Sequence, residues 1–272
     1  MPWGSNLPLL QPWLDVSAAV HPLSCEGRGA LQYIQQKPNG RMPVKPVLDW
    51  TVREWFEYHQ KCVHQGSLSG YDHLQQRWLG RVIWKNPMDC WVYQEILYET
   101  QPDVLIEIGV AHGGNLLYLS HLFRLMDKPN AMLIGVDIDI SKAADLRIPG
   151  LQLIQGNCLD PHTFQRVSAL SGGKRTMVIA DCDHNKDHVL QELALYSSQV
   201  SVGCYYIVED GICDVMGWNP STGEPVYDVP VPGPQAAAKE FLSSNQQFVD
   251  DAPLREKYLM TYNFNGFLRR VR

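Results

Sequence analysis

Two short acidic runs, Asp181-Cys182-Asp183-His184 and Glu209-Asp210, hold the residue types best suited to chemistry in this chain. Each closes an apolar stretch, Met177 to Asp181 in one case and Tyr205 to Val208 in the other, and so belongs at a strand tip. Four carboxylates on neighbouring strand tips repel one another unless a positive charge lies between them. A hard divalent cation meets that need, and all-oxygen ligation favours Mg2+ over zinc. The competing reading makes some of these acids helix caps or salt-bridge partners of Lys186 and nearby arginines. His184 and His188 stand at i, i+4. The pair lacks His-Glu-x-x-His and Cys182 brings no second Cys, so zinc is not expected there. A general base or substrate contact suits His184 better, and a plain surface histidine fits equally well.

A second set of residues surrounds a glycine turn. Val104 to Ile108 is a short apolar run that leads into Gly109, Gly113 and Gly114, and Leu116, Leu119, Leu122 and Met126 follow at helical spacing. Strand, glycine loop and helix open a nucleotide-binding α/β unit, in which backbone approaches a ligand closely and helix N–H groups are free. The spacing G-x-x-x-G-G differs from G-x-G-x-x-G, which argues against a pyrophosphate cradle, and a tight turn that binds nothing is the alternative. Asp137 ends the next apolar run, Met132 to Asp137, and stands 23 residues past Gly114. That is close to the spacing of an acid that grips ribose hydroxyls, although a helix N-cap would also explain it. Asn157 follows the run Leu151 to Gln155 and with Asp137 could frame a nucleoside, and Asp160 caps the helix beyond. His112, inside the glycine loop, either touches a cofactor or faces solvent.

Elements of fixed order must position these groups. Apolar runs alternating with helical patterns, among them Val189, Leu193, Tyr196 and Val200, predict an α/β fold with a doubly wound, mostly parallel sheet covered on both faces. Residues 50–64 read as a helix, and Asp89 as the N-cap of another that runs to about Thr100. From 211 to 233 periodicity is lost, and a segment of that length with Trp218 and Tyr227 reads as a lid or substrate loop. A helix is expected near 235–242. Asn265-Gly266, between Tyr258–Tyr262 and Phe267–Val271, signals a C-terminal antiparallel hairpin. Residues 1–47 form an irregular arm with one short helix near 30–36 and Trp3 and Trp13 as anchors, expected to cover the core or to pack on a second subunit. Residues 48–272 then make one domain, with cap helices over 50–100.

Composition narrows the function classes. With 272 residues, 45% hydrophobic content and a net charge of −6, the chain suits a globular enzyme and shows no basic stripe for nucleic acid. No apolar stretch approaches ~20 residues, so no membrane span is expected. Seven irregularly spaced Cys without C-x-x-C, and no secretory leader, indicate reduced thiols and a cytoplasmic setting.

Taken together, Trp78-Leu79-Gly80, Asn86-Pro87-x-Asp89-x-Trp91-x-Tyr93-Gln94-Glu95, Glu107-Ile108-Gly109, Gly113-Gly114, Asp181-x-Asp183-His184, Ile207-Val208-Glu209-Asp210, Gly233-Pro234 and Phe264-Asn265-Gly266-Phe267-Leu268 resemble the cephalosporin hydroxylase / rhamnosyl O-methyltransferase family over roughly residues 50–270. The resemblance implies a Rossmann-like class I methyltransferase fold, S-adenosyl-L-methionine and Mg2+ as cofactors, and a hydroxylated small molecule such as a sugar or polyketide as acceptor. It implies that Asp183, Glu209 and Asp210 hold the metal; the 26-residue step from Asp183 to Glu209 fits the family better than the 28 from Asp181, which leaves Asp181 with the cofactor. Glu107, Gly109, Ala111, Gly113 and Asn115 would line the methionine end, with Asp137 on the ribose. His184 and Asp183 would serve catalysis, His184 or a water accepting the proton. The competing readings are an oxidative tailoring enzyme of the hydroxylase type, a nicotinamide-dependent oxidoreductase, which needs no carboxylate cluster, and a binding protein without turnover.

Overall fold

The computed structural model describes residues 51–59, 75–216 and 232–272. Two compact units are distinguished, 1–55 and 56–272. The expected arm over 1–47 lies outside the described residues, as do Trp218, Tyr227 and the rest of 217–231. The first described helix, α1 (Val52–Tyr58), starts with a capping box. The Thr51 N–H donates to Glu54 Oε2 at 2.7 Å, and the Glu54 N–H donates to Thr51 Oγ1 at 3.2 Å.

A small antiparallel ribbon follows, β1 (Arg77–Trp78) and β2 (Arg81–Val82), turned by Leu79 and Gly80 at φ 46° and 86°. Two consecutive positive φ values are what a two-residue hairpin of matching twist requires. Helix α2 (Pro87–Thr100) is capped by Asn86, whose side chain accepts from the Met88 N–H, with Pro87 at the first helical position. The cap is therefore Asn86 and not Asp89. Asp89 is buried and accepts from Thr261 Oγ1 at 2.5 Å and from the Tyr262 N–H at 2.8 Å. Burial pushes its carboxyl up to about 7, against the pull of those two donors.

The rest alternates as the apolar pattern predicts: β3 (Val104–Ile108), α3 (Gly114–Leu125), β4 (Met132–Asp137), β5 (Leu151–Gln155), α4 (Pro161–Ser171), β6 (Thr176–Ala180), α5 (Lys186–Tyr196), β7 (Tyr205–Val208), α6 (Ile212–Met216), α7 (Pro234–Ser244), β8 (Phe248–Asp250), α8 (Ala252–Glu256) and β9 (Phe267–Arg270). Every residue of β3, β6 and β7 is buried, which is why these strands read as apolar runs, interrupted only by Glu107 in β3 and Thr176 at the start of β6. The seven-stranded sheet has the order β5-β4-β3-β6-β7-β9-β8. All pairs from β5 to β7 are parallel, and β9 is antiparallel to both its neighbours. The chain winds outward from β3 to β5 and then crosses to β6 on the other side. The strand order thus reverses between β3 and β6, and a crevice opens at their carboxyl ends.

The C-terminal antiparallel pair is present with a different first strand. Its partner for β9 is β8, not Tyr258–Tyr262. Residues 258–262 are tied elsewhere, Tyr258 to Glu95 and Thr261 and Tyr262 to Asp89. The Tyr262 ring also meets Phe56 and His59, whose Nδ1 lies 2.6 Å from the Tyr262 hydroxyl. Local turn chemistry at Asn265-Gly266 was outweighed by these distant partners. Among the described residues no helix is long and apolar enough to cross a membrane.

Candidate functional site

A cavity of about 560 Å³ occupies the crevice at the carboxyl ends of β3, β4, β5 and β6. Glu107, Gly109, Ala111, Asn115, Asp137, Asn157, Asp181, Asp183, His184 and Asp210 all line it. Gly113 does not. It is the left-handed residue before α3, at φ 72°, and a Cβ there would press on Leu146 and Ala143 behind the loop. Gly109, at φ 87°, has a tighter constraint, because a Cβ would overlap the Asp181 carbonyl. The turn after β3 and the tip of β6 are thereby held in backbone contact. His112 is on the cavity wall, its ring edge-on to Trp84 at 5.1 Å. Arg81 braces the loop from behind by donating to the His112 carbonyl at 2.6 Å and to Asp145.

Asp137 ties the loop from the front. Its Oδ2 accepts from the Val110 and Ala111 N–H groups at 2.8 and 3.0 Å, and its Oδ1 from the Asp139 N–H. Ala111 takes φ 44° to make this possible. Glu107 is buried at the foot of the loop. Its Oε1 accepts from Asn115 Nδ2 at 2.8 Å, whereas Oε2 and Asn115 Oδ1 have no hydrogen-bond partner among the described residues. Burial pushes the Glu107 carboxyl up to about 7; Lys85 and Asn115 pull against this, and Asp181 and Asp137 add to it. A buried carboxylate oxygen with nothing to accept from, facing a cavity, is an open socket for a cationic ligand group.

The acidic runs meet as expected, but with a counter-charge from within the chain. Lys85, 4% exposed, contacts Asp181 and lies 2.9 Å from Glu209 Oε2. Burial alone would depress its ammonium, yet the Asp181, Glu209 and Glu107 carboxylates hold its pKa well above the usual lysine value. Glu209 is 4% exposed and also accepts from the Tyr93 hydroxyl at 2.8 Å. Tyr93 in turn accepts from Asn263 Nδ2 at 2.7 Å, and Asn263 Oδ1 accepts from the Asp210 N–H at 3.2 Å. Asp210 is held at φ 55° in this network.

The groups that could hold a metal differ in part from those the resemblance implied. Asp181, His184 and Asp210 bring one ligand atom each to within 4.8 Å of one another. His184 Nε2 is 3.2 Å from Asp210 Oδ2 and 3.6 Å from Asp181 Oδ1, without a well-directed hydrogen bond. Asp183 is exposed on the cavity wall, and its Oδ1 accepts from the Asn185 N–H at 2.6 Å. Glu209 faces Lys85 and Tyr93 instead of the cavity. Burial disfavours a charged His184, but Asp181 and Asp210 outweigh it and raise the imidazole pKa well above its usual value. Lys85 and Tyr93 were not singled out as site residues from the sequence. The one local signal was a lysine set among apolar residues directly before the Asn86-Pro87 cap.

A family model described as rhamnosyl O-methyltransferase/CmcI matches residues 71–271. A rhamnosyl O-methyltransferase of Mycobacterium tuberculosis (strain ATCC 25618 / H37Rv) is 32% identical over 201 residues, covering 71% of this chain and 77% of the relative. Among solved structures, the apo form of CmcI-N160 aligns with a TM-score of 0.55 at 22% identity, covering 86% of this chain and 89% of that one. A CmcI-D160 structure described as Mg-SAM aligns at 0.54 and 23% identity, with the same coverages.

Proposed function

Because the chain belongs to the rhamnosyl O-methyltransferase/CmcI family, we propose that it transfers a methyl group from S-adenosylmethionine to a hydroxyl of a small molecule with the help of Mg2+. The observation that carries this is one cavity in which an unpartnered Glu107 carboxylate oxygen and the Asp181–His184–Asp210 cluster face the same space. The printed name of the mycobacterial relatives makes a rhamnosyl hydroxyl the acceptor class to try first.

The residues present fit both groups. Glu107 offers the acceptor for a methionine ammonium, Gly109, Ala111 and Asn115 the surrounding wall, and Asp137 and Asn157 the polar edge for a nucleoside. Asp210 with the β6-tip carboxylates Asp181 and Asp183 offers oxygen ligands to a hard cation. The family set also includes Glu209, which in this structure anchors Lys85. When bound, the sulfonium supplies an electrophilic methyl group and the cation supplies Lewis acidity. The chain's own task is to align the two reactants, which can lower a barrier by roughly 7–11 kcal/mol. His184 receives the acceptor's proton on Nε2, which requires the neutral imidazole. Charge neutralisation of Asp181 and Asp210 removes the interaction that keeps it protonated.

Incubation with methyl-labelled S-adenosylmethionine and rhamnosides should label the sugar in Mg2+ and not in EDTA. Transfer that survives EDTA overturns the metal requirement, and calorimetric binding of NAD instead of S-adenosylmethionine overturns the reaction class. The Glu107 carboxyl adds a pH signature. Protonated below about 7, it cannot pair with an ammonium, so cofactor affinity is lost as pH falls. Calorimetry should find binding about tenfold weaker at pH 6 than at pH 8, with that difference abolished in Glu107→Gln. An identical pH profile in the variant would remove Glu107 from the cofactor site.

A further inference from the structure

The run Asp181-Cys182-Asp183-His184 divides its side chains between two clusters. Asp181 and His184 turn to Asp210, whereas Cys182 turns to Cys158, His188 and Glu192. The sequence offered no Cys partner for Cys182; the fold supplies one from 24 residues upstream, in the loop after β5. His188 and Glu192 come from one face of α5, at i, i+4. Four ligand atoms therefore converge from three separate segments.

Their spacing is that of a tetrahedral zinc site. With Zn–S of about 2.3 Å and Zn–N and Zn–O of about 2.0–2.2 Å, tetrahedral corners are about 3.8 Å apart for S···S, about 3.5 Å for S···N and about 3.3 to 3.6 Å for pairs with oxygen. Here Cys158 Sγ and Cys182 Sγ are 3.7 Å apart, and each is 3.5 Å from His188 Nε2. Glu192 Oε1 is 3.5 Å from His188 Nε2 and 3.3 Å from Cys158 Sγ, and only its 2.7 Å contact with Cys182 Sγ would have to lengthen. Glu192 is 1% exposed, and its Oε1 lies against two thiols and one imidazole. Buried carboxylates with such partners are either pinned by charge or bound to metal. Cys182 is exposed and lines the cavity together with His188, so an ion has a way in.

We infer that Cys158, Cys182, His188 and Glu192 form a zinc site that is separate from the carboxylate cluster at Asp210. Thiolates select a soft or borderline ion and reject Mg2+, so the two clusters sort two metals by ligand chemistry. Binding needs both thiols as thiolates and His188 as the neutral imidazole, so it releases the two thiol protons and any proton carried by His188. The ion would clamp the loop after β5 to the connection between β6 and α5, where Cys158 and Cys182 form part of the cavity wall. The inference does not depend on the methyl-transfer reading.

The full chain, expressed with zinc in the medium and purified without chelator, should carry about one zinc per chain by mass spectrometry. Cobalt substitution should give a near-ultraviolet thiolate charge-transfer band and intense visible bands of a tetrahedral ion. Cys158→Ser combined with Cys182→Ser should lose both signals, and Asp210→Asn should keep them. Alkylation of wild-type protein provides a check that needs no variant. Cys182 should react quickly after zinc removal and slowly once zinc is restored. Zinc content far below one per chain, zinc unchanged in the double variant, equal alkylation in both states, or a Cys158–Cys182 disulfide isolated from reducing buffer would each overturn the site.

Discussion

Lys85→Met should lower the stability of the protein by about 3–5 kcal/mol, the usual cost of removing one partner from a buried charge pair. Methionine nearly matches the volume of the lysine stem, so packing changes little and the loss reports on charge. Without the ammonium, the buried Glu209 and the partly buried Asp181 are left without their shared counter-charge, with Glu107 nearby. Burial already pushes the Glu209 carboxyl up and Lys85 opposes this, so the variant should take up protons in this cluster on folding. Its deficit against wild type is therefore expected to be largest at alkaline pH and to shrink as pH falls and the Glu209 carboxyl protonates. Urea unfolding at several pH values measures this directly. A midpoint equal to wild type at pH 8 would show that Lys85 is not the counter-charge.

Asp210→Asn should reduce turnover about a thousandfold, the equivalent of the several kcal/mol that Lewis-acid stabilisation supplies. Asparagine keeps the shape of the side chain and tolerates the left-handed backbone at φ 55°, so the fold and the hydrogen bond from its N–H to Asn263 should survive. What disappears is one of the two carboxylates beside His184. Binding of S-adenosylmethionine should change by less than about twofold, since the residues assigned to it stand on the tips of β3, β4 and β5, and contacts not made with the cofactor leave its affinity alone. Turnover near wild type would remove Asp210 from the metal site. Loss of cofactor binding with turnover would mean instead that the loop after β7 belongs to the cofactor pocket.

The central strands were legible because burial on both faces leaves no room for polar alternation, so Val104–Ile108 and Thr176–Ala180 show as apolar runs in which Glu107 is the one charged residue. Asp160 as a cap was equally plain, since its Oδ1 needs only the His162 and Thr163 N–H groups beside it. Errors came where a residue had a distant partner. Asp89 looked like a cap, but it is drawn to Thr261 and Tyr262, and the true cap was the Asn86-Pro87 pair. Residues 258–262 had strand-like composition and spend their hydrogen bonds on α2. Lys85 had only its place among apolar residues before the Asn86-Pro87 cap to mark it, and Cys158 had no local signature, because their meaning depends on partners 96 and 24 residues away in sequence. The ligand roles of Asp183 and Glu209 came from resemblance alone, whereas the gathering of Asp181 and His184 around Asp210 is visible only in the fold.

The ammonium that quiets the acidic strand tips comes from residue 85, upstream of the first central strand and outside the alternating strands and helices themselves. A gene fusion or circular permutation that carried only residues 102–272 into a new setting would take along the acids and leave behind their neutraliser. The alternating array is therefore smaller than the piece of chain that can be inherited, duplicated or grafted as a working whole, and the stretch from Arg81 to Gln101 has to travel with it.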